Sequence, residues 1–309
     1  MKSFIIKLLL FFICECAIVY ILSIDIIPDK YRSNYIHAVY DKQKLLDKRN
    51  YARILFSGGS ATAWGLDSKK IINDLGYDVI NLGLHGGLSP KFYINQLEYN
   101  IREDDYICLS FEYDQSLETE QYLVKFINDL PYIEKSILDL IKIRLDNIDN
   151  NYSYLLLPLP TINKNRMLSR ENFNKHGDFI GHLKGLSHPI NYKNLDRTYD
   201  IYPLIYNKII SDLNEFYENA LLNGSTVYYI YPSIPISFYA IIKENLLEEI
   251  SLFEKNIAIP ILGSFENFIY PDSLFYAGKY HLNNKGRSIR TKHIIDLLDK
   301  RIKKYGTSL

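Results

Sequence analysis

A buried strand that ends in two adjacent glycines and a serine constrains the fold of this chain more than any other segment. Residues 54–56 form a short apolar run of the type found in the middle of parallel sheets. Gly58 and Gly59 allow a sharp turn at the carboxyl end of this strand, which leaves Ser60 exposed there. Residues 61–64 can begin a helix whose first amide groups face the serine oxygen. The segment is typical of α/β proteins and suits a nucleophile, but an ordinary strand-to-loop turn has the same pattern.

Two further strands follow the same plan, and each ends in a polar turn. Residues 79–82 run into a glycine-rich turn that contains Gly86, and residues 106–109 run into the polar turn 110–114. Helices are predicted between the strands, because apolar residues recur there at helical spacing. This alternation predicts a parallel sheet covered on both faces. The ligand site of such a sheet lies at the carboxyl ends of its strands.

The carboxyl-terminal part of the chain returns to the same alternation. Its predicted elements are strands at 226–231 and 258–262, helices at 201–222 and 240–253, and a final helix after Gly286. No internal repeat and no second core are found. The sequence therefore predicts one three-layer α/β/α domain over residues 51–309, built on a five-stranded parallel, flavodoxin-like sheet.

An irregular insertion at residues 117–197 interrupts this domain. It contains one predicted helix, at 133–148, and is otherwise rich in Pro, Asn and Gly. Long insertions in compact domains are often lids or substrate loops, and a solvated decoration is the equal alternative. Its histidines are interpreted as solvated, as polar loop histidines generally are: His176, His182 and His188.

The first 27 residues predict a membrane-spanning anchor. Lys2 and Lys7 precede an apolar run over 8–24 that is long enough to cross a bilayer. Glu15 lies inside this run, so a buried core helix is the alternative interpretation. The two lysines favour a cytoplasmic amino terminus, and no cleavage site of small residues follows. With residues 28–50 as a linker, the sequence predicts a single-pass membrane protein whose domain lies outside the cytoplasm.

Composition excludes several classes of function. Lys plus Arg and Asp plus Glu each number 36, so the chain has no net charge that would attract nucleic acid. Its three cysteines are too few for a disulfide framework, and no set of side chains has the spacing of a metal site. Neither glycine turn fits a dinucleotide-binding or phosphate-binding motif. We therefore expect no nucleic-acid partner, no metal and no cofactor.

The polar turns carry residues suited to acyl transfer, which requires a nucleophile, a base and donors to an oxyanion. Ser60 is the candidate nucleophile. His281 precedes the final helix, where a loop can bring it over the same edge of the sheet as the base. The backbone amides of Ser60 and Gly86 are the candidate oxyanion donors.

Three segments resemble the sequence blocks of the SGNH (GDSL-type) hydrolase superfamily: GGSATAWG, NLGLHGG and YHLNNKG. The resemblance covers residues 53–114 and 226–295 and implies that Ser60 is the nucleophile, Gly86 the oxyanion glycine and His281 the base. With the apolar amino terminus and the insertion, it implies the membrane-anchored, extracytoplasmic branch of the family. Such a protein is a serine esterase or O-acetyltransferase acting on a cell-surface polysaccharide or another acylated glycan, with an acyl-donor membrane protein as a further partner.

Two departures from the family pattern affect these assignments. The family has an aspartate three residues before its histidine, where this chain has Gly278, and Asp272 substitutes only if its loop doubles back. The family's asparagine oxyanion donor is replaced by a residue of 111–114, where Tyr113 can donate a hydrogen bond and an ionised Glu112 cannot. A non-catalytic scaffold or binding protein of a polysaccharide-assembly system is therefore the alternative function.

Overall fold

A four-stranded parallel sheet forms the centre of the protein. The computed structural model describes residues 2–23, 34–47, 52–120, 130–133, 167–188 and 205–306. The strands of the central sheet are β1 (Arg53–Gly58), β2 (Asp78–Asn81), β3 (Tyr106–Ser110) and β4 (Thr226–Tyr229). Their order is β2-β1-β3-β4, and every neighbouring pair is parallel. The prediction of a mixed α/β protein with a parallel sheet is confirmed.

The predicted fifth strand at 258–262 is reduced to a single parallel bridge beside β4, between Tyr229 and Ile261. The amide of Tyr229 donates to the carbonyl of Pro260, and the amide of Leu262 donates to the carbonyl of Tyr229. Pro260 has no amide hydrogen to contribute to a ladder, which limits regular pairing at this position. The segment therefore adjoins the sheet without forming a complete strand.

Helices connect the strands in the alternating manner that the sequence predicts. They are α1 (Lys2–Ser23), α2 (Ala38–Asp47), α3 (Ser60–Gly65), α4 (Ser68–Leu75), α5 (Pro90–Asn100), α6 (Tyr206–Leu222), α7 (Ile236–Asn256) and α8 (Asn284–Gly306). Helix α8 contacts α3 and α4, whereas α6 contacts α5 and α7. The part of the predicted insertion helix at 134–148 lies outside the described residues.

Two small sheets stand beside the central one. Strand β5 (Ile234–Pro235) pairs in parallel with β6 (Ile269–Tyr270), and β7 (Phe275–Ala277) pairs antiparallel with β8 (His281–Leu282). The second of these sheets, the β7–β8 hairpin, contains His281 and contacts both α3 and α8. It therefore brings the carboxyl-terminal part of the chain to the end of β1.

Local sequence explains the ends of the helices near the carboxyl edge of the sheet. Ser89 caps the first turn of α5, because its side chain accepts a hydrogen bond from the Phe92 amide, and Pro90 follows it. Helix α4 begins after Asp67, whose carboxylate accepts a hydrogen bond from the amide of Lys70. It ends at Gly76, which has the left-handed conformation with φ 77°.

The amino-terminal helix α1 does not support the predicted membrane anchor. Of the helices in the described ranges, none combines the length and the apolar character that a membrane span requires. The assignment of residues 1–27 to a transmembrane segment is therefore unsupported. The location of the domain outside the cytoplasm stays a prediction.

The described part of the insertion, residues 167–188, is attached to the domain through the buried carboxylate of Asp178. Its oxygens accept hydrogen bonds from the Ser68 amide at 3.0 Å, the Ser68 hydroxyl at 2.6 Å and the side-chain amide of Asn81 at 2.9 Å. The Arg287 guanidinium of α8 lies 3.3 Å from the same carboxylate. One carboxylate thus connects the insertion to β2, α4 and α8.

Asp178→Ala is expected to lower the free energy of unfolding by about 3 to 5 kcal/mol, because Arg287 keeps Asp67, at 3.5 Å, as a carboxylate partner but loses Asp178, and the buried donors of Ser68 and Asn81 lose this acceptor. The matched control is Asp74→Ala, which removes an exposed carboxylate paired with Lys70. That change is expected to cost less than about 0.5 kcal/mol. Urea unfolding of both variants measures the difference, and equal small losses would contradict the role of Asp178.

Candidate active site

Ser60 is the first residue of α3 and lies directly beyond the carboxyl end of β1. Gly58 has φ 154°, and a Cβ atom there would lie 1.9 Å from the carbonyl oxygen of Ser110 on β3. Only glycine permits this close approach of two backbones. The turn therefore places Ser60 beside the end of β3, at the edge that the sequence predicts.

His281 reaches Ser60 from the far end of the chain. Its Nε2 atom lies 2.9 Å from Ser60 Oγ, although the two residues are 221 positions apart in sequence. This is the contact that a general base makes with the hydroxyl it deprotonates. The structure thus brings together the two residues that the sequence analysis proposed as nucleophile and base.

Aromatic packing holds the imidazole of His281. The Trp64 ring stacks on it with centroids 4.1 Å apart and planes 13° apart. Trp64 is fixed in turn, because its indole N–H donates to the Tyr35 hydroxyl at 3.1 Å. The His182 ring lies 4.4 Å from Trp64, and His182 Nε2 lies 3.0 Å from the carbonyl oxygen of Leu282. Trp64, Tyr35 and His182 are positioning residues that the sequence analysis did not assign.

His182 also corrects the interpretation of the insertion histidines as solvated. It is buried, and its ring stacks on Phe179 with centroids 5.6 Å apart. Burial lowers the pKa of His182 to about 4, so it is neutral at physiological pH. His188, by contrast, is exposed as expected. A single loop sequence does not reveal which of its histidines packs under a distant tryptophan.

The loop before His281 is tied to the turn after β3. Lys279 forms an ion pair with Asp114, and the Tyr280 hydroxyl donates to the same carboxylate at 2.7 Å. That hydroxyl also accepts a hydrogen bond from the Tyr113 amide at 3.1 Å. These bonds hold the loop that carries His281 against the turn that carries Glu112.

His281 has no carboxylate partner within the described part of the chain. Asp272, the predicted substitute, accepts a hydrogen bond from the Ser237 amide at 3.1 Å instead, so its expected role is not supported. At the family's aspartate position, Gly278 has φ 62°, and a Cβ atom there would lie 3.9 Å from His281 Nδ1. Among the described residues that ring atom is the only neighbour within 4 Å, so the space for an aspartate is open.

Glu112 is a component of the site that the sequence analysis did not assign. Its Oε1 atom lies 2.7 Å from Ser60 Oγ and accepts a hydrogen bond from the Ala61 amide at 2.8 Å. A Cβ atom on Gly59 would lie 2.8 Å from Oε1, and one on Gly86 would lie 2.3 Å from Oε2. The carboxyl group therefore fits between the two turns because both have glycine there.

Tyr113, the predicted alternative oxyanion donor, faces the core. Its side chain is 1% exposed, and its ring lies 5.1 Å from that of Tyr206. The adjacent residue Glu112 faces Ser60, so the two side chains leave the turn in different directions. The expected role of Tyr113 is not supported, because the position beside the nucleophile belongs to Glu112.

Ser60, Gly86 and His281 line one cleft of about 540 Å³. The turn with Gly86 is held in place by the Ser116 amide, which donates to the Gly86 carbonyl at 2.9 Å. The other walls carry polar side chains and charged side chains of both signs: His85, Glu112, Asp114, Gln115, Ser116, Glu120, Lys279 and Tyr280. A cleft of this volume lies within the range of small-molecule sites in proteins.

Burial determines the ionisation of the two groups that contact Ser60. It lowers the pKa of His281 to about 3, and His182 and His85 contribute smaller repulsions. His281 is therefore neutral at pH 7, as a general base must be. Burial also raises the pKa of the Glu112 carboxyl above its ordinary value, against the hydrogen bonds from Ser60 and the Ala61 amide. Both shifts favour uncharged groups beside the nucleophile.

Comparisons with known proteins add no assignment to this geometry. No protein-family model matches the chain, and no curated protein matches it. In the described ranges, no group of His, Cys, Asp and Glu side chains has the arrangement of a metal site.

Proposed function

We propose that this protein is a serine esterase or O-acyltransferase with Ser60 as nucleophile and His281 as general base. The observation that carries the proposal is the 2.9 Å contact between Ser60 Oγ and His281 Nε2. Both residues lie at the carboxyl edge of a parallel sheet, the usual position of ligand sites in such folds. A non-catalytic scaffold does not require these two side chains to lie within hydrogen-bond distance.

We further propose that the domain has the three-layer, flavodoxin-like fold of the SGNH hydrolases. The order β2-β1-β3-β4, with residues 258–262 beyond β4, supports this assignment. So do the two groups of helices, one formed by α3, α4 and α8 and the other by α5, α6 and α7. Ser60, Gly86 and His281, to which the resemblance assigns the catalytic positions of the family, line one cleft.

The reaction consists of two steps of the same kind. Ser60 Oγ forms a bond to the carbonyl carbon of an ester, its proton passes to His281 Nε2, and the carbonyl electrons move to the oxygen. The intermediate then expels the alcohol, which takes the proton from His281 and leaves an acyl-serine. Water or a glycan hydroxyl attacks the acyl-serine in the same way, which yields a carboxylic acid or a new ester and restores Ser60. The Gly86 amide borders the place where the oxyanion develops.

We propose an O-acetylated glycan, such as a cell-surface polysaccharide, as the substrate class. Two observations support it: hydrogen-bonding side chains such as Gln115 and Ser116 line part of the cleft, and Lys279, Asp114 and Glu120 place charges of both signs there. A transferase would also require an acyl donor, and the predicted acyl-donor membrane protein fits that role. An esterase requires only water.

The test uses the full chain and an O-acetylated polysaccharide, with released acetate as the measured product. We expect acetate release and covalent labelling of Ser60 by a fluorophosphonate, which reports a serine activated by a base. Ser251→Ala, an exposed change on α7 outside the cleft, is expected to keep both. A folded wild type that neither releases acetate nor labels would favour the scaffold function.

A further inference from the structure

We propose that Glu112 works in its protonated form as a hydrogen-bond donor to the oxyanion, which makes acyl transfer at this site a reaction favoured by acidic pH. The proposal rests on the proposed function, since it assigns a further catalytic residue to the same reaction. It also gives a role to the carboxyl group that stands where the family has an asparagine.

The contacts of Glu112 place it at the reacting atoms. One oxygen lies 2.7 Å from Ser60 Oγ, and the other lies against Gly86, whose amide borders the same cleft. The residue is buried, at 6% exposure. A carbonyl group attacked by Ser60 therefore directs its oxygen toward groups that include this carboxyl.

Charge decides which protonation state can assist the reaction. An ionised carboxylate beside Ser60 Oγ would repel the negative charge that develops in the transition state, and it has no proton to donate. A neutral carboxyl group has one O–H donor and adds no charge. A buried carboxylic acid kept neutral is a known type of oxyanion donor. Only the protonated form of Glu112 thus stabilises the intermediate.

The hydrogen bonds around Ser60 also favour the protonated form of Glu112. If Glu112 is ionised, it accepts the hydrogen bond from the Ser60 hydroxyl. His281 Nε2 must then carry a hydrogen in order to bond Ser60 Oγ. An Nε2 atom that carries hydrogen cannot accept the Ser60 proton, so His281 cannot act as the base in that state. If Glu112 is protonated, its single O–H donates to Ser60 Oγ before the attack and to the oxyanion once that forms, the Ser60 hydroxyl donates to His281 Nε2, and the Ala61 amide still donates to Oε1. The base function of His281 therefore requires a neutral Glu112.

Other charged and titratable groups face Glu112 from each neighbouring element. Asp114 raises the pKa of Glu112 and Lys279 lowers it, and these two form an ion pair with each other. In the described part of the chain, Glu112 is also faced by other titratable side chains: Tyr35, Tyr93, His85, Glu120, Tyr280 and His281. The largest influence is burial, which favours the neutral acid.

The proposal predicts that activity depends on pH and that the substitution Glu112→Gln removes this dependence. Activity of the wild type is expected to fall about tenfold per pH unit above the pKa of Glu112, as the donor ionises. Glu112→Gln keeps an N–H donor of nearly the same shape at every pH, so its rate should not fall in that range. Glu112→Ala removes the donor and is expected to lose about 10² to 10³-fold at acidic pH.

The test measures hydrolysis of 4-nitrophenyl acetate by full-length variants from about pH 4 to about pH 9, corrected for Ser60→Ala. An alkaline fall in the wild type that is absent in Glu112→Gln supports the proposal. A loss of about 100-fold in Glu112→Gln at every pH, or an unchanged alkaline fall, overturns it. Asp74→Asn, which removes an exposed carboxyl that does not line the cleft, should keep the wild-type alkaline fall.

Thermal unfolding gives a readout that is independent of activity. The pKa of the Glu112 carboxyl is higher in the folded state than in the unfolded state. The resulting stabilisation is complete when the pH is below the unfolded-state pKa, and it is lost as the pH rises through the folded-state pKa. The melting temperature of Glu112→Gln relative to wild type should therefore rise across this window. A relative decrease would overturn the proposal. Wild-type hydrolysis that does not depend on Ser60 would instead overturn the proposed function itself.

Discussion

Ser60→Ala is expected to lower kcat/KM for ester hydrolysis by about 10³-fold or more, because no other group can form the acyl-enzyme. His281→Ala should lose nearly as much, since Ser60 Oγ then has no base at 2.9 Å. The double variant should be no worse than either single one, as expected for residues that act as a unit. Steady-state kinetics and fluorophosphonate labelling measure these losses.

The controls separate lost chemistry from lost structure. Ser60 is at the surface of the cleft, and the buried residues that hold its turn, Gly58 and Asn81, are untouched by the change. The melting temperature of Ser60→Ala should therefore stay close to that of wild type, and Ser251→Ala should match wild type in rate. A wild-type rate that survives Ser60→Ala would end the assignment of the nucleophile.

Gly278→Asp is expected to raise kcat by about 10²-fold. A Cβ atom at this position lies 3.9 Å from His281 Nδ1, so an aspartate oxygen can reach hydrogen-bond distance of that atom. The carboxylate would fix the tautomer with hydrogen on Nδ1 and stabilise the imidazolium formed during catalysis. Loss of such a carboxylate from complete triads costs about 10⁴-fold, and a smaller gain is expected when it is added to an unevolved site.

The same variant should shift the acid limb of the pH profile. His281 has a pKa of about 3, so wild-type activity should persist to low pH before the base is protonated. A carboxylate at Nδ1 favours the charged imidazole, raises this pKa and moves the acid limb to higher pH. Gly278→Asn is the matched control, because it imposes the same strain of about 1 kcal/mol at φ 62° without a charge. Identical rates and acid limbs in the two variants would contradict the expectation.

Part of the site is readable from the sequence because its signals are local. The double glycine and Ser60 follow an apolar run directly, and Gly86 follows the next strand in the same way. Parallel strands share one carboxyl edge, so these turns must be neighbours. His281 was assigned by its position before the last helix and by its family resemblance, and the contact with Ser60 agrees with that assignment.

Other components depend on packing between distant segments. Four side chains in the turn 111–114 were candidates for one place beside Ser60, and their sequence does not rank them. Tyr113 enters the core because Tyr206 of α6 packs against it, and Glu112 fits beside Ser60 because Gly59 and Gly86 lack side chains. Asp272 was a reasonable substitute by sequence, but its loop caps α7 at Ser237.

The sequence by itself determined the alternating α/β order, the strand ends and the residues that stand at them, because these follow from periodicity and glycine within a few positions. Only the tertiary structure decided which side chains meet there and which charges they carry. Burial depends on the whole packed domain, and it is burial that lowers the pKa of His281 and raises that of Glu112. The tertiary structure likewise reduced the fifth strand to one bridge, between Tyr229 and Ile261.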